Sequence, residues 1–377
     1  MQGTHGINGK AMLLASLELS ASCWRVAATD GMHTPSEWRS KLEEPARRLQ
    51  EVLERLDVLR QKWQLGAECE LVVLYEAGQD GFWIARALQQ RGVQALIVDP
   101  ASVPVPRHAK RVKTDRIDAR LLLKVLLDWL RGERGQVRMV HMPPMQAEDQ
   151  RQLARERGVL IKEIGAHRDR MRKLLRTVGC WTPLEEDPEA QLGQLRCWDG
   201  TPLPQWLHAR LGHECQRLRL VRQQLQALED SWTQRLEEPQ RRRVELLRRL
   251  KAVGEVGSMR LVLELFWRNF NNRRQVGACV GLVPAPYDSG GSHVDQGISK
   301  QSNARVRALA IEMAWMWLRW QPQSELAEWF RQRTGTQAHN KRGKRIAIVA
   351  VARRLVIALW RYLEHGVIPA GARLKAV

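Results

Sequence analysis

Residues 70–76 read ELVVLYE and decide the fold of the first part of the chain. Five apolar or aromatic residues bounded by two acidic ones are typical of a short strand buried on both faces. Similar strand-like segments lie at 13–19, 23–28 and 94–98, and helix-like segments lie at 43–63 and 81–90. The alternation of these patterns predicts a mixed α/β domain over about the first 130 residues.

A strongly basic segment, residues 107–120, contains Asp115 and Asp118, which lie three positions apart. If Asp115 begins the apolar-periodic helix that follows, this spacing places both carboxylates on one helical face, where they can bind a divalent metal ion. The surrounding cations suit a bound polyanion; they are Lys110, Arg111, Lys113 and Arg116. The alternative is a solvated helix start, in which the macrodipole favours the acidic residues.

Two further carboxylates, Glu18 and Glu76, fall at the ends of predicted strands. An open sheet presents such positions at one edge, where side chains from separate strands converge. Each carboxylate alone is more often a surface residue. Together with Asp115 and Asp118 they are typical of an acidic two-metal site for Mg²⁺ or Mn²⁺.

The middle of the chain is rich in Arg, Gln, Leu and Glu, and two helical patterns run through residues 146–178 and 214–236. Their narrow apolar stripes predict a helical coil, either antiparallel within one chain or between two chains. The last third is mostly helical. We therefore predict a metal-binding domain over 1–135, a helical coiled-coil region over 136–240 and a C-terminal helical domain over 241–377.

Ser289 is followed by Gly290 and Gly291, within a predicted loop that spans residues 287–292. A serine hydroxyl becomes a nucleophile when a base, a metal or local cations assist it. Cations that could stabilise a phosphoryl group there are Lys300, Arg305 and Arg307. Taken alone, the Asp-Ser-Gly-Gly sequence is more often a simple turn. A second glycine-containing segment, residues 250–257, predicts a turn between helices, a kind of hairpin whose backbone N–H groups can face a phosphate, although two glycines alone are a weak signal.

Composition favours a nucleic-acid partner. Lys and Arg number 61 against 41 Asp and Glu, which gives a formal charge of +20 and a pI near 10.5. Such a charge suits an acidic polymer. No apolar run approaches the ~20 residues of a spanning helix, and no signal peptide is evident. Six cysteines without a C-x-x-C pair indicate reduced thiols in the cytosol. Most of the 15 tryptophans are expected in the core or between helices.

Several segments together resemble the DEDD-type insertion-sequence transposases, a family that includes bridge-RNA-guided recombinases. The matching segments are YEAG at 75–78, VKTDRIDA at 112–119, LKAVGEVG at 250–257, GLVP at 281–284, DSGG at 288–291 and GISK at 297–300. They occur in the family's order and cover most of the chain from about 12 to 365. The family's first acidic residue is usually Asp, whereas this chain has Glu18, which is one methylene longer.

The resemblance implies an α/β RuvC/RNase H-like N-terminal domain, a long helical coiled-coil middle and a mostly α C-terminal transposase domain. It implies that Glu18, Glu76, Asp115 and Asp118 bind divalent metal and that Ser289 attacks the DNA backbone. It also implies donor and target DNA, a non-coding guide RNA, and a dimer or tetramer as partners. The expected location is the bacterial cytoplasm, in association with the nucleoid.

Two alternatives remain open on the sequence. The first is a metal-dependent junction nuclease in which the carboxylates activate water and the serine is structural. The second is a non-catalytic nucleic-acid-binding protein, in which the replacement at Glu18 has removed activity. The absence of a Walker-type phosphate loop agrees with strand rejoining that uses no ATP.

Overall fold

The computed structural model describes residues 11–78, 81–104, 115–289, 292–299, 303–335 and 341–375. For residues 115–118, 233, 286–289 and 292–296 it describes the backbone alone. The chain divides into two compact units, Met1–Met142 and Pro143–Val377. The predicted division into three parts, with boundaries at 135 and 240, stays a prediction.

A five-stranded sheet forms the centre of the described part of the first unit. Its strands are β1 (Met12–Leu19), β2 (Trp24–Thr29), β3 (Ser36–Ser40), β4 (Glu70–Glu76) and β5 (Gln94–Val98), in the order β3-β2-β1-β4-β5. The strands β3, β2 and β1 are antiparallel, whereas β1, β4 and β5 are parallel. The predicted mixed α/β fold is confirmed, and the sheet is consistent with an RNase H-like domain.

Helices cover both faces of this sheet. Helix α1 (Pro45–Lys62) and helix α2 (Trp83–Gln89) share a core with the odd-numbered residues of β1 and β4, such as Leu17 and Tyr75. Helix α3 (Asp115–Leu130) shares a second core with even-numbered residues, such as Leu14 and Val72. Because successive side chains of a strand point to opposite faces, burial on both faces explains the continuous apolar run in β4.

In the second unit, helix α4 (Met145–Arg176) packs antiparallel against helix α6 (Gln205–Ser231), with the short helix α5 (Pro188–Gln191) between them in sequence. Arg157 contacts Glu229 at 2.7 Å, and His167 contacts Glu214 at 2.6 Å. Leu160, Val221 and Leu228 form a thin apolar seam. The antiparallel alternative of the sequence analysis is therefore the one observed within this chain.

Glu214 lies buried between these two helices and accepts hydrogen bonds from basic side chains. Arg170 donates to its Oε2 atom at 3.2 Å and Arg217 donates to its Oε1 atom at 2.9 Å, while His167 Nδ1 lies 2.6 Å from Oε2. Burial by itself would raise the pKa of Glu214, but the hydrogen bonds from His167 and Arg170 outweigh it, so the pKa lies below its ordinary value.

Replacement of Glu214 with glutamine should therefore destabilise the helical pair in a pH-dependent way. A lowered folded-state pKa contributes stability above the unfolded-state pKa of about 4.3, and this contribution is lost as the pH falls through the folded-state pKa. We expect the variant to lose about 2 kcal/mol of unfolding free energy at pH 7 and clearly less near pH 3. Urea unfolding at both pH values measures this difference, and an equal loss at both would contradict it.

The rest of the second unit is mostly helical around one large core. Its helices are α7 (Glu238–Arg248), α8 (Glu255–Glu264), α9 (Arg273–Val280), α10 (Ala304–Trp320), α11 (Glu325–Thr334) and α12 (Lys341–His365). Phe266, Trp317 and Leu355 are among its fully buried side chains. Across the described ranges, every helix is too short or too polar to span a bilayer.

The prediction of a loop over residues 287–292 is wrong for the residues that the structure describes there. Strands β6 (Pro284–Ser289) and β7 (Ser292–Ile298) form an antiparallel pair, in which Ser289 lies opposite Ser292. The register is irregular between Pro284 and Pro286. Prolines cannot donate to a ladder, but a two-stranded ribbon tolerates them where no partner needs their N–H. The ribbon leads into helix α10.

The C-terminal segment depends on a close backbone contact at Gly371. Its φ is +69°, and a Cβ atom there would lie 2.7 Å from the carbonyl oxygen of Gln323. Gly366 has nearly the same backbone conformation, with a φ of +68°, but open space around its missing Cβ. Gly371 is therefore constrained both by conformation and by space, whereas Gly366 is constrained by conformation alone.

We expect Gly371→Ala to lower the free energy of unfolding by about 3 kcal/mol and Gly366→Ala by only about 1 kcal/mol. The difference isolates the steric cost, because both substitutions impose a left-handed conformation on alanine. Denaturant unfolding followed by tryptophan fluorescence measures both values. Equal losses in the two variants would show that the backbone at Gly371 moves to accommodate the methyl group.

Candidate active site

Glu18 and Glu76 lie at the same edge of the five-stranded sheet. In the parallel pair of β1 with β4, Leu17 lies opposite Tyr75, so each glutamate directly follows the last pair of the register. Both side chains are half-buried. By strand alternation, Glu18 shares its face with Leu14, and Glu76 shares its face with Val72. Both glutamates therefore lie on the face that α3 covers.

The first turn of α3 lies on the same side of the sheet as these glutamates. The buried hydroxyl of Ser16, two residues before Glu18, donates to the carbonyl of Ala119 at 2.7 Å. The later helix residues Leu122 and Leu126 share a core with Leu14, on the other side of Ser16 from Glu18. Helix α3 therefore runs antiparallel to β1, and its beginning extends towards the edge that carries Glu18.

The backbone positions of Asp115 and Asp118 belong to this first turn. Their side chains, and that of Arg116, lie outside the described residues, as do Lys110, Arg111 and Lys113 entirely. Among the side chains that the structure does describe, no group of three or more His, Cys, Asp or Glu residues could hold a metal ion. The structure thus brings two of the four predicted carboxylates to one edge, and the four-residue metal site stays a prediction.

A row of arginines that the sequence analysis missed continues from this acidic edge across the sheet. Arg25 lies opposite Glu18 in the pairing of β1 with β2, and Arg39 lies opposite Arg25 in the pairing of β2 with β3. Both arginines line a cavity of about 240 Å³ together with Ala119 of α3. A carboxylate beside two guanidinium groups suits a phosphate chain that passes over the sheet. Only the strand register reveals this row.

The donor atoms at the edge fit a hard divalent cation. Glutamate carboxylates supply oxygen ligands, which Mg²⁺ and Mn²⁺ prefer over nitrogen or sulfur. Glu18 and Glu76 project from adjacent strands, so the spacing of the sheet, about 4.8 Å between neighbouring strands, brings their backbones close together. Glu18 and Glu76 are therefore suitable ligands for such an ion.

In the second unit, the candidate nucleophile lies at the end of β6. The backbone of Ser289 is paired with Ser292, while its side chain and Lys300 lie outside the described residues. At the base of the ribbon, the amide of Ser299 donates to the carbonyl of Val283 at 2.9 Å. This bond joins the segments 281–284 and 297–300, which the sequence analysis matched separately. The ribbon therefore presents Ser289 at the end opposite this base.

A basic cavity of about 330 Å³ lies beside the start of helix α10, among helices α4, α8 and α10. Five cations line it with two acidic residues; the cations are Arg155, Arg157, Lys162, Arg260 and Arg305. Glu264, which is only 6% exposed, accepts a hydrogen bond at 3.0 Å from the amide of Asn303, the N-cap of α10. The predicted residue Arg305 thus lies in a cationic cavity, whereas Arg307 lies half-buried on the same helix.

Comparison with known proteins identifies the class to which this fold and these motifs belong. Residues 244–327 match the model of the "Transposase IS116/IS110/IS902 family", and residues 36–179 match a DEDD transposase model of IS110 elements. Glu76, Asp115 and Asp118 fall within the second of these ranges and Ser289 within the first, whereas Glu18 precedes both.

Relatives along the whole chain agree with these matches. The chain is 38% identical to "Putative transposase y4rJ" of Sinorhizobium fredii, over 96% of this chain and 94% of the relative. It is 25% identical to "Putative transposase y4qE" of the same species, over 79% and 76% of the two chains. It is 24% identical to the transposase for insertion sequence element IS1328 of Yersinia enterocolitica, over 79% and 85%. The chain belongs to the IS110/IS116 family of transposases.

Proposed function

We propose that this transposase cuts and rejoins DNA through a covalent link between Ser289 and the DNA backbone, assisted by divalent metal. The observation that carries the proposal is the position of Glu18 and Glu76 at the ends of adjacent parallel strands, on the face that α3 covers. The arginine row beside them and the cationic cavity beside α10 support a phosphate-rich substrate.

In this reaction the Ser289 oxygen forms a bond to phosphorus as the ester bond to one deoxyribose oxygen breaks. The serine hydroxyl loses its proton, and the leaving deoxyribose oxygen gains one to become a free hydroxyl. The number of phosphate ester bonds stays constant, so the free energy needed for rejoining is kept in the phosphoserine link. Lys300, Arg305 and Arg307 offset the charge that develops on the phosphoryl oxygens.

Glu18, Glu76, Asp115 and Asp118 would hold Mg²⁺ or Mn²⁺ in this proposal. Bound metal supplies Lewis-acid stabilisation of charge on phosphoryl oxygens. The chain's own contribution is to fix the carboxylates on rigid strands and at a helix start. The arginines Arg25 and Arg39 then orient the strand that passes over the edge.

We further propose, from the family resemblance, that an element-encoded non-coding RNA selects donor and target DNA and that the protein acts as a dimer or tetramer. The formal charge of +20 supports simultaneous binding of RNA and DNA. Purification after mild nuclease treatment, followed by sequencing of bound RNA, tests the first part. Copurification of one defined RNA from the element's own flank would support it, and purification of the active protein without RNA would contradict it.

The proposal as a whole is tested by trapping. Protein and element-end DNA are incubated with Mg²⁺ and denatured, and the products are separated under conditions that keep covalent adducts. Recombinant strands together with a protein–DNA adduct are expected. Cleavage without any adduct would favour the metal-dependent junction nuclease, for which the acidic edge of the first unit would suffice. Binding without strand breakage would favour the non-catalytic protein.

A further inference from the structure

Three tryptophans, two between helices α4 and α6 and one in the first turn of α6, are largely exposed. Trp181, Trp198 and Trp206 expose 72%, 81% and 82% of their surface. Tryptophan is highly buried on average in folded proteins, so three such side chains within one short segment need an explanation. We call residues 177–206, which comprise the connection after α4 and the first two residues of α6, the hairpin tip.

The backbone of the hairpin tip fixes the position from which the Trp198 side chain extends. The amide of Trp198 donates to the carbonyl of Val178 at 3.0 Å. Gly179 has a φ of +70°, and a Cβ atom there would lie 2.6 Å from the Cβ atom of Trp198. The tip therefore uses a glycine so that Trp198 can pack its Cβ atom against the backbone while its ring faces solvent.

The tip exposes its tryptophans among polar and acidic side chains such as Glu185, Glu186 and Asp199, whereas its leucines are buried or half-buried. Leu192, Leu195 and Leu203 pack into a small core with Leu175 of α4 and Leu211 of α6. The exposed large apolar residues described between 177 and 206 are the three tryptophans. A partner protein typically covers a continuous apolar patch, but nucleic-acid bases stack on single aromatic rings.

Arginines from the two helices contact the tip, and one of them lies beside a tryptophan ring. The Arg176 guanidinium lies 4.7 Å from the centre of the Trp181 ring. Arg168 donates to the carbonyls of Leu184 and Glu185, and Arg219 pairs with Glu189. Cations beside exposed aromatic faces are the combination that binds single strands, since the cations contact phosphates and the rings contact bases.

We propose that the hairpin tip binds unpaired bases of a nucleic-acid strand by stacking them on Trp181, Trp198 and Trp206. The inference rests on the proposed function only in taking nucleic acid as the partner. Unpaired bases can belong to an RNA loop or to a DNA strand opened during recombination, and the chemistry of stacking is the same for both.

The test measures binding of the full chain to oligonucleotides of about 12 nucleotides, a length within the usual site sizes. The probes are an oligo-uridine RNA, an oligo-thymidine DNA and a duplex of equal length, all in EDTA. Trp181→Ala and Trp198→Ala should each weaken single-strand binding about tenfold, the effect of one lost stack. Their Trp→Phe counterparts should stay within about threefold of wild type, since phenylalanine keeps a stacking face. If the Trp→Ala substitutions weaken binding of the RNA probe more than binding of the DNA probe, the bases belong to RNA. The opposite result assigns them to single-stranded DNA.

The controls separate stacking from other roles of the tip. Trp320→Ala removes a half-exposed tryptophan on α10 and should leave single-strand affinity unchanged. Duplex affinity and the salt dependence of binding should also stay unchanged in the tip variants, because phosphate contacts remain. Unchanged single-strand affinity, an equal loss for duplex, or a changed oligomeric mass in the tip variants would overturn the inference. Failure of the wild-type protein to bind any probe would instead contradict the proposed function.

Discussion

Ser289→Ala should abolish the protein–DNA adduct and reduce strand transfer by at least about 10³-fold, the usual scale for loss of a nucleophile. The expected cause is chemical, because alanine leaves no oxygen to form the phosphate ester while the backbone of β6 is unchanged. DNA binding should persist, since the cationic cavity beside α10 is not altered. Adduct formation and recombinant product are measured in the same reaction, and affinity is measured separately.

Ser292→Ala provides a matched control for this prediction. Ser292 lies opposite Ser289 in the β6–β7 pairing, so it shares the ribbon and its strand environment. We expect it to keep adduct formation and strand transfer within a few fold of wild type. If Ser292→Ala lost the adduct while Ser289→Ala kept it, the nucleophile would be Ser292 on β7 and not Ser289 on β6. Normal recombination in both variants would end the covalent-serine proposal.

Strands with one strong physical signal could be predicted from sequence. The bounds of β4 and β5 agree with the predicted segments 70–76 and 94–98, because both are short apolar runs between polar residues. A helix from Asp115 onwards was also predicted, since an acidic residue precedes an apolar-periodic run, and the described residues 115–130 are helical. These elements carry the acidic edge, which is why the position of Glu76 at a strand end followed from the sequence.

Elements that depend on pairing were missed. The short edge strand β3 reads SEWRS and has no apolar alternation, so only its ladder with β2 identifies it. In β6 the prolines at 284 and 286 are unfavourable in a strand, although two glycines between strand-like runs are a hairpin signal. The arginine row through Arg25 and Arg39 likewise exists only in the register of three strands.

The tryptophans show the same limit of local reasoning. Most of the 15 are buried or partly buried, as expected, and Trp24, Trp232 and Trp317 are among the largest fully buried side chains. The exposed ones at the hairpin tip could not be distinguished, because their neighbours in sequence are not their neighbours in space. The approach of Trp198 to Gly179 joins residues that lie 19 positions apart.

Glu76→Gln should reduce strand cleavage by at least about 10²-fold while leaving the fold intact. The amide has nearly the same shape as the carboxylate but lacks the charge that a divalent cation requires, and loss of ligand charge weakens metal binding. Wild-type protein should gain thermal stability when Mn²⁺ is added, because a ligand that binds only the folded state stabilises it. The variant should lose most of that gain, a readout that does not depend on catalysis.

Glu70→Gln is the matched control, because Glu70 begins the same strand that Glu76 ends. Both substitutions remove one negative charge from β4, so a general electrostatic effect would act on both, whereas a metal site at the edge would respond only to Glu76. Glu18→Asp tests the carboxylate position on β1, since it introduces the shorter aspartate that the family resemblance leads us to expect there. If Glu76→Gln and Glu70→Gln kept equal cleavage and equal stabilisation by Mn²⁺, the sheet edge would not hold the metal. If Glu18→Asp raised cleavage while Glu76→Gln lost it, both strands would contribute carboxylates to one site.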